Sequence, residues 1–89
     1  MIKANEARAM VRKYNENKYN EMVAHAERIC DAIDKQIEEA ANAGNTVLKV
    51  NTDNDLNEYE LRQKVLTIIR ENGFYADYSL HNKEITIMW

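Results

Sequence analysis

Apolar residues recur along this chain with two different periods, and each period marks a different kind of element. From Met22 they fall at Met22, Ala26, Ile29, Ile33, Ile37 and Ala40, with Val23, Cys30 and Ala41 beside them. Steps of three and four residues place them on one face of an α-helix. Gly44, followed by Asn45, supplies a stop, because glycine takes the left-handed conformation without steric cost. Upstream, the same stripe reads through Ala7, Met10 or Val11, and Tyr14. It meets Lys18 where a hydrophobe is expected and resumes at Met22. The predicted helix covers residues 5–43. A break near Asn15–Asn20 is the alternative, since asparagine is a poor helix former.

The period then shortens to two. TVLKV, residues 46–50, sets Leu48 and Val50 on one face and Val47 and Lys49 on the other, as a strand does. In the loop that follows, Asp55 with Glu58 three residues on has the form of a capping box. It predicts a second helix over 56–72, with Leu61, Val65, Ile68 and Ile69 inward and Gly73 ending it. FYADYSL, residues 74–80, alternates Phe74, Ala76, Tyr78 and Leu80 against Tyr75, Asp77 and Ser79. His81-Asn82-Lys83 is a tight connection in which Asn82 is suited to positive φ. EITIM, residues 84–88, sets Ile85 and Ile87, then Trp89, against Thr86 and Met88, completing a β-hairpin.

The order α-β-α-β-β predicts a single α+β domain over residues 1–89. Its form is a two-layer α/β sandwich with helices over one face of a three-stranded sheet. The sheet order is 1-3-2, because the last strand is the most apolar short one. Strand one reaches strand two through a crossover, expected to be right-handed. A continuous first helix would be ~57 Å long, whereas a compact chain of this size is roughly 30 Å across. About half of the helix must therefore overhang.

Charge gives the overhang a character. Residues 1–20 hold five basic side chains (Lys3, Arg8, Arg12, Lys13, Lys18) against two acidic ones (Glu6, Glu16). Residues 21–45 hold two basic (Arg28, Lys35) against six acidic (Glu21, Glu27, Asp31, Asp34, Glu38, Glu39). Antiparallel pairing of two such helices sets opposite charges together, and parallel pairing sets like against like. The expectation is a homo-oligomer, a homodimer or a dimer of dimers, joined through Ala7, Met10, Val11, Tyr14, Lys18 and Met22. The same basic segment could instead hold a phosphate and stack a base, with Arg8, Arg12, Lys13, Tyr14 and Tyr19 as the binding set. Long nucleic acid fits poorly with a net charge of -3 and one short basic patch.

Few residues are suited to catalysis. Glu21 and His25 lie one turn apart on the first helix, but no third metal ligand is evident; with His81 in the hairpin turn they are the only seats for a small enzyme. Cys30 is the single cysteine, which excludes an internal disulfide or an all-cysteine metal site. Its apolar neighbours Ile29 and Ile33 point to a buried thiol. Asp53-Asn54-Asp55 lacks the glycine of a calcium loop. No metal and no cofactor is expected. The chain is not expected to act as an enzyme. No apolar run reaches the ~18 residues of a membrane span, and the N-terminus has no signal-peptide core, so a cytoplasmic protein without membrane contact is expected. If the helices cover one sheet face, Val47, Tyr75, Thr86 and Met88 decorate the other.

The opening IKANEARAMV leading into a long charged helix, AANAGNTVLKV, ENGFYADYSL and the closing EITIMW resemble small proteins encoded by tailed bacteriophages. The resemblance implies a non-enzymatic, oligomeric protein that interferes with a host process. It would do so by binding a host protein or, alternatively, by sequestering an anionic signalling nucleotide at a subunit junction as an anti-defence device.

Overall fold

The computed structural model describes residues 1–89. Helix α1 runs unbroken from Ala4 to Asn42, 39 residues, so no break occurs at Asn15–Asn20. It ends as glycine at that position allows: Gly44 sits at φ +84. The Gly44 amide bonds the Ala41 carbonyl at 3.0 Å and the Asn45 amide bonds that of Ala40 at 2.9 Å. The pair of bonds is that of a Schellman end, which satisfies carbonyls left over in the last turn; the Ala40 carbonyl also takes the Ala43 amide at 3.2 Å.

Strands β1 (Val47–Asn51), β2 (Tyr75–Ser79) and β3 (Glu84–Met88) form one antiparallel sheet in the order β1-β3-β2. Strand β3 is central, as its apolar content predicts. Ile85 and Ile87 are fully buried. Helix α2 (Tyr59–Glu71) connects β1 to β2, and Gly73 follows it at φ +90. Leu61, Val65, Leu66 and Ile69 of α2 meet Val50, Ala76, Ile85 and Ile87 of the sheet in one core. Helix α1 adds Ala26 and Ile33, flanked by Met22, Ile29, Cys30 and Ile37. The architecture is the α+β arrangement that the element order predicts.

Three local predictions fail for identifiable reasons. Helix α2 begins at Tyr59, not at residue 56, and its N-cap is Glu58 without a side-chain bond. The Asp55–Glu58 capping box does not form because Leu56, at 0% exposure, is drawn into the core from a turn. Full burial of a leucine is worth roughly 1.5–3 kcal/mol, against about 1 kcal/mol for a cap. In the hairpin, Lys83 takes positive φ (51°), not Asn82. The Lys83 carbonyl accepts both the amide and the hydroxyl of Thr52, each at 2.8 Å, which dictates its backbone orientation. Leu80 leaves the inward row and is 68% exposed, because the strand's alternation ends at Ser79.

Candidate functional site: the projecting helix and the bare sheet face

The principal extents of the chain are 64 × 25 × 16 Å and its radius of gyration is 17.2 Å. A compact fold of this length would have about 12 Å. The excess is the front half of α1. Over residues 1–20 every side chain is exposed except that of Ala7, which is partly covered. Met10 and Val11 are 59% exposed and Tyr14 is 66% exposed. Contact with the body begins around Asn15–Met22, where Lys18, Tyr19 and Met22 form a hollow with Glu58 and Glu60 at the start of α2.

Straightness has a consequence for the apolar stripe. Tyr14, Lys18, Met22 and Ala26 are separated by three steps of four residues, and each step overshoots a helical turn by about 40°. The centre of the front stripe of Ala7, Val11 and Tyr14 is thus rotated by roughly a quarter of a turn from the face that Ala26 and Ile33 bury. It is not a continuation of the core face. Of the six residues expected at an oligomer interface, Met22 packs on the chain's own core. Ala7, Met10, Val11, Tyr14 and Lys18 stand on the projecting segment.

The five residues expected to hold an anion do not converge. At about 100° per residue, Arg8, Arg12 and Tyr19 share one side of α1, while Lys13 and Tyr14 lie on others. Tyr19 also borders the hollow that Glu58 and Glu60 line, and two carboxylates there oppose an anionic ligand.

The remaining candidates for chemistry are dispersed. Glu21 and His25 are exposed on α1, His81 is exposed in the hairpin turn, and no group of three or more His, Cys, Asp or Glu side chains is placed to hold a metal ion. Burial pushes the Cys30 thiol up from 9.0 to about 11, with the charges of Asp31 and Glu27 adding to the effect. Its Sγ lies 3.8 Å from the Val65 carbonyl, and the protonated thiol is a poor nucleophile at neutral pH. Asp53 stands at φ 47 with its amide donating to Asn51 Oδ1 at 2.8 Å. Lys83 Nζ occupies the turn, 2.5 Å from Asn54 Oδ1, where a calcium site would need to be free of cationic side chains.

On the sheet, both helices cover one face and leave the other bare. The register aligns Val47, Met88 and Tyr75 in one row across the three strands, and Lys49, Thr86 and Asp77 in the next. Val47, Tyr75 and Met88 are exposed by 42%, 54% and 38%. Comparison with protein-family models, with curated proteins and with solved structures finds no match.

Proposed function

We propose that the protein is a non-catalytic binding protein of bacteriophage type that assembles with copies of itself through the front half of α1 and acts by engaging a host protein. One observation carries the reading: α1 runs for 39 residues while the body covers only its rear half, leaving Met10, Val11 and Tyr14 in water. At ~25 cal/mol per Å² of apolar surface, covering these side chains is worth a few kcal/mol. Their rotation away from the core face leaves room for a partner alongside the rod. The basic front and acidic rear favour an antiparallel mate, with Arg8, Arg12 and Lys13 near the partner's acidic turn. Host engagement rests on the bacteriophage resemblance and on the absence of convergent catalytic groups.

Sedimentation tests the assembly. A dimer or larger species is expected at micromolar concentration, weakened by salt, and Tyr14→Glu should convert it to monomer. A monomer in both low and high salt would remove the reading. A thermal-shift screen with nucleotides should give no stabilisation at millimolar ligand; a clear shift would move the function to nucleotide capture.

A further inference from the structure

The sheet has two free edges, and the chain treats them differently. In an antiparallel ladder, successive residues point their backbone groups alternately toward and away from the neighbouring strand. The Thr52 amide bonds the Lys83 carbonyl at 2.8 Å and the Trp89 amide bonds the Thr46 carbonyl at 3.0 Å. With Leu48 opposite Ile87 and Val50 opposite Ile85, these bonds turn the even-numbered residues of β1 toward β3. The N–H and C=O groups of Val47, Lys49 and Asn51 therefore face outward.

On β2 the same alternation turns Ala76 and Tyr78 outward, and there the chain's own side chains take one backbone group of each residue. Arg70 donates to the Ala76 carbonyl from Nε at 3.0 Å and from Nη2 at 2.7 Å. The Tyr78 amide is taken by Asp77 Oδ1 at 3.0 Å. Unpaired edge groups invite another strand, and natural sheets block them in this manner. No side chain closes β1, along which Val47, Lys49 and Asn51 are all exposed.

We propose that the β1 edge is a strand-addition site for an extended protein segment with an acidic side chain opposite Lys49. The proposal rests on the reading of this chain as a binder of another protein and is independent of its self-association. Charge selects the partner. Asp77 is in the same row as Lys49, but two strand spacings away, ~10 Å, and engaged with the Tyr78 amide. Glu84 on β3 stands diagonally from Lys49, opposite Asn51, and no acid lies directly opposite Lys49. A second copy is a poor occupant: two-fold pairing that uses all three outward residues sets Lys49 against Lys49, and like charges directly opposite destabilise a sheet. An acid from a different chain reverses that term. Two residues along, an apolar side chain of the incoming strand would lie beside Val47 and extend the Val47–Met88–Tyr75 row.

The test uses fluorescent peptides of about seven residues, the length of a short strand. They alternate Thr and Val around a central Glu, Ala or Lys and are titrated against the full chain. The Glu-centred peptide should bind about three- to tenfold more tightly than the Lys-centred one, and Lys49→Glu should invert the order. Hydrogen exchange should slow at the amides of Val47, Lys49 and Asn51 and stay unchanged at Ala76. Equal affinity for the Glu and Lys peptides, no binding at millimolar peptide, or protection on β2 overturns the proposal. So does protection of the β1 amides that grows with protein concentration alone, which would assign the edge to a second copy. Sedimentation of the same samples separates the two readings: a monomer that prefers the Glu peptide loses only the helix-mediated assembly, and an oligomer indifferent to the peptides loses only the edge.

Discussion

At position 56 a leucine side chain is fully enclosed although the backbone around it forms a turn. Its carbonyl accepts a bond from Arg62 Nη1 at 3.4 Å, and the Arg62 guanidinium lies 5.4 Å from the centre of the Tyr59 ring and 4.9 Å from that of Tyr78. The approach to α2 is therefore held by one apolar anchor and the arginine above it, not by a capping carboxylate. Leu56→Ala should cost about 2–5 kcal/mol, a large part of the ~5–15 kcal/mol available to a small domain. Asp55→Ala should stay within about 0.5 kcal/mol. Urea titration of both variants checks the pair, and the opposite ranking would restore the capping box. The sequence pattern misleads here because Asp-x-x-Glu is a local signal, while the pull on Leu56 comes from a core assembled by distant strands. Cys30 supplies a second residue-scale prediction. Its thiol titrates at an ordinary 9.0 when unfolded and at about 11 when folded. Between those values the unfolded chain has released a proton that the folded chain retains, so stability falls as pH rises through the window and levels above it. The slope should be shallower in Cys30→Ala, measured as the difference between the two proteins' urea midpoints from pH 8 to 11.

The elements themselves were legible, since a change of period from 3.6 to 2 survives in any window of the chain. Strand order followed from which short strand is most apolar. Register and edge closure were not legible, because Arg70 reaching the Ala76 carbonyl depends on where β2 lies beside α2, which no local pattern states. The direction of the front stripe of α1 was misread for a different reason: steps of three and four look equivalent on paper, yet three fours in a row rotate the stripe away from the core. At about 100° per residue, Lys13 and Tyr14 leave the side of the rod that Arg8, Arg12 and Tyr19 share. Helix α1 also has unequal support along its length. Its front holds Asn15, Asn17 and Asn20 and has no side-chain cap at Lys3. The docked rear half supplies the nucleus, so each further turn needs only propagation, which each asparagine weakens by up to about 0.7 kcal/mol relative to alanine. In dilute solution, amides over residues 5–18 should exchange much faster than those over 26–37, and they should slow as protein concentration rises. Asn17→Ala should slow exchange in the front segment alone. Uniform protection of α1 at all concentrations would mean that the front half is stable without a partner.

At the scale of the molecule, a rod with a body on its rear half can pair in few ways, and each has a distinct outline. Full antiparallel overlap places the two bodies at opposite ends, so the particle keeps a length near the single chain's 64 Å while its mass doubles. Overlap of the two front segments alone, about 30 Å at 1.5 Å per residue, would give a particle on the order of 100 Å long. It would also bring together two segments that each carry five basic and two acidic side chains. Parallel pairing sets both bodies at one end, with like charge facing like along the whole rod. Small-angle scattering with mass determination separates the three outlines, and the first is expected. Salt is the independent check: at 1 M the screening length falls to about 3 Å. An assembly held partly by the basic front against the acidic rear should then dissociate at higher protein concentration than in dilute buffer. Front-to-front or parallel pairing should respond in the opposite sense, because screening relieves repulsion there, so the sign of the salt effect alone identifies the partner segment of Arg8, Arg12 and Lys13.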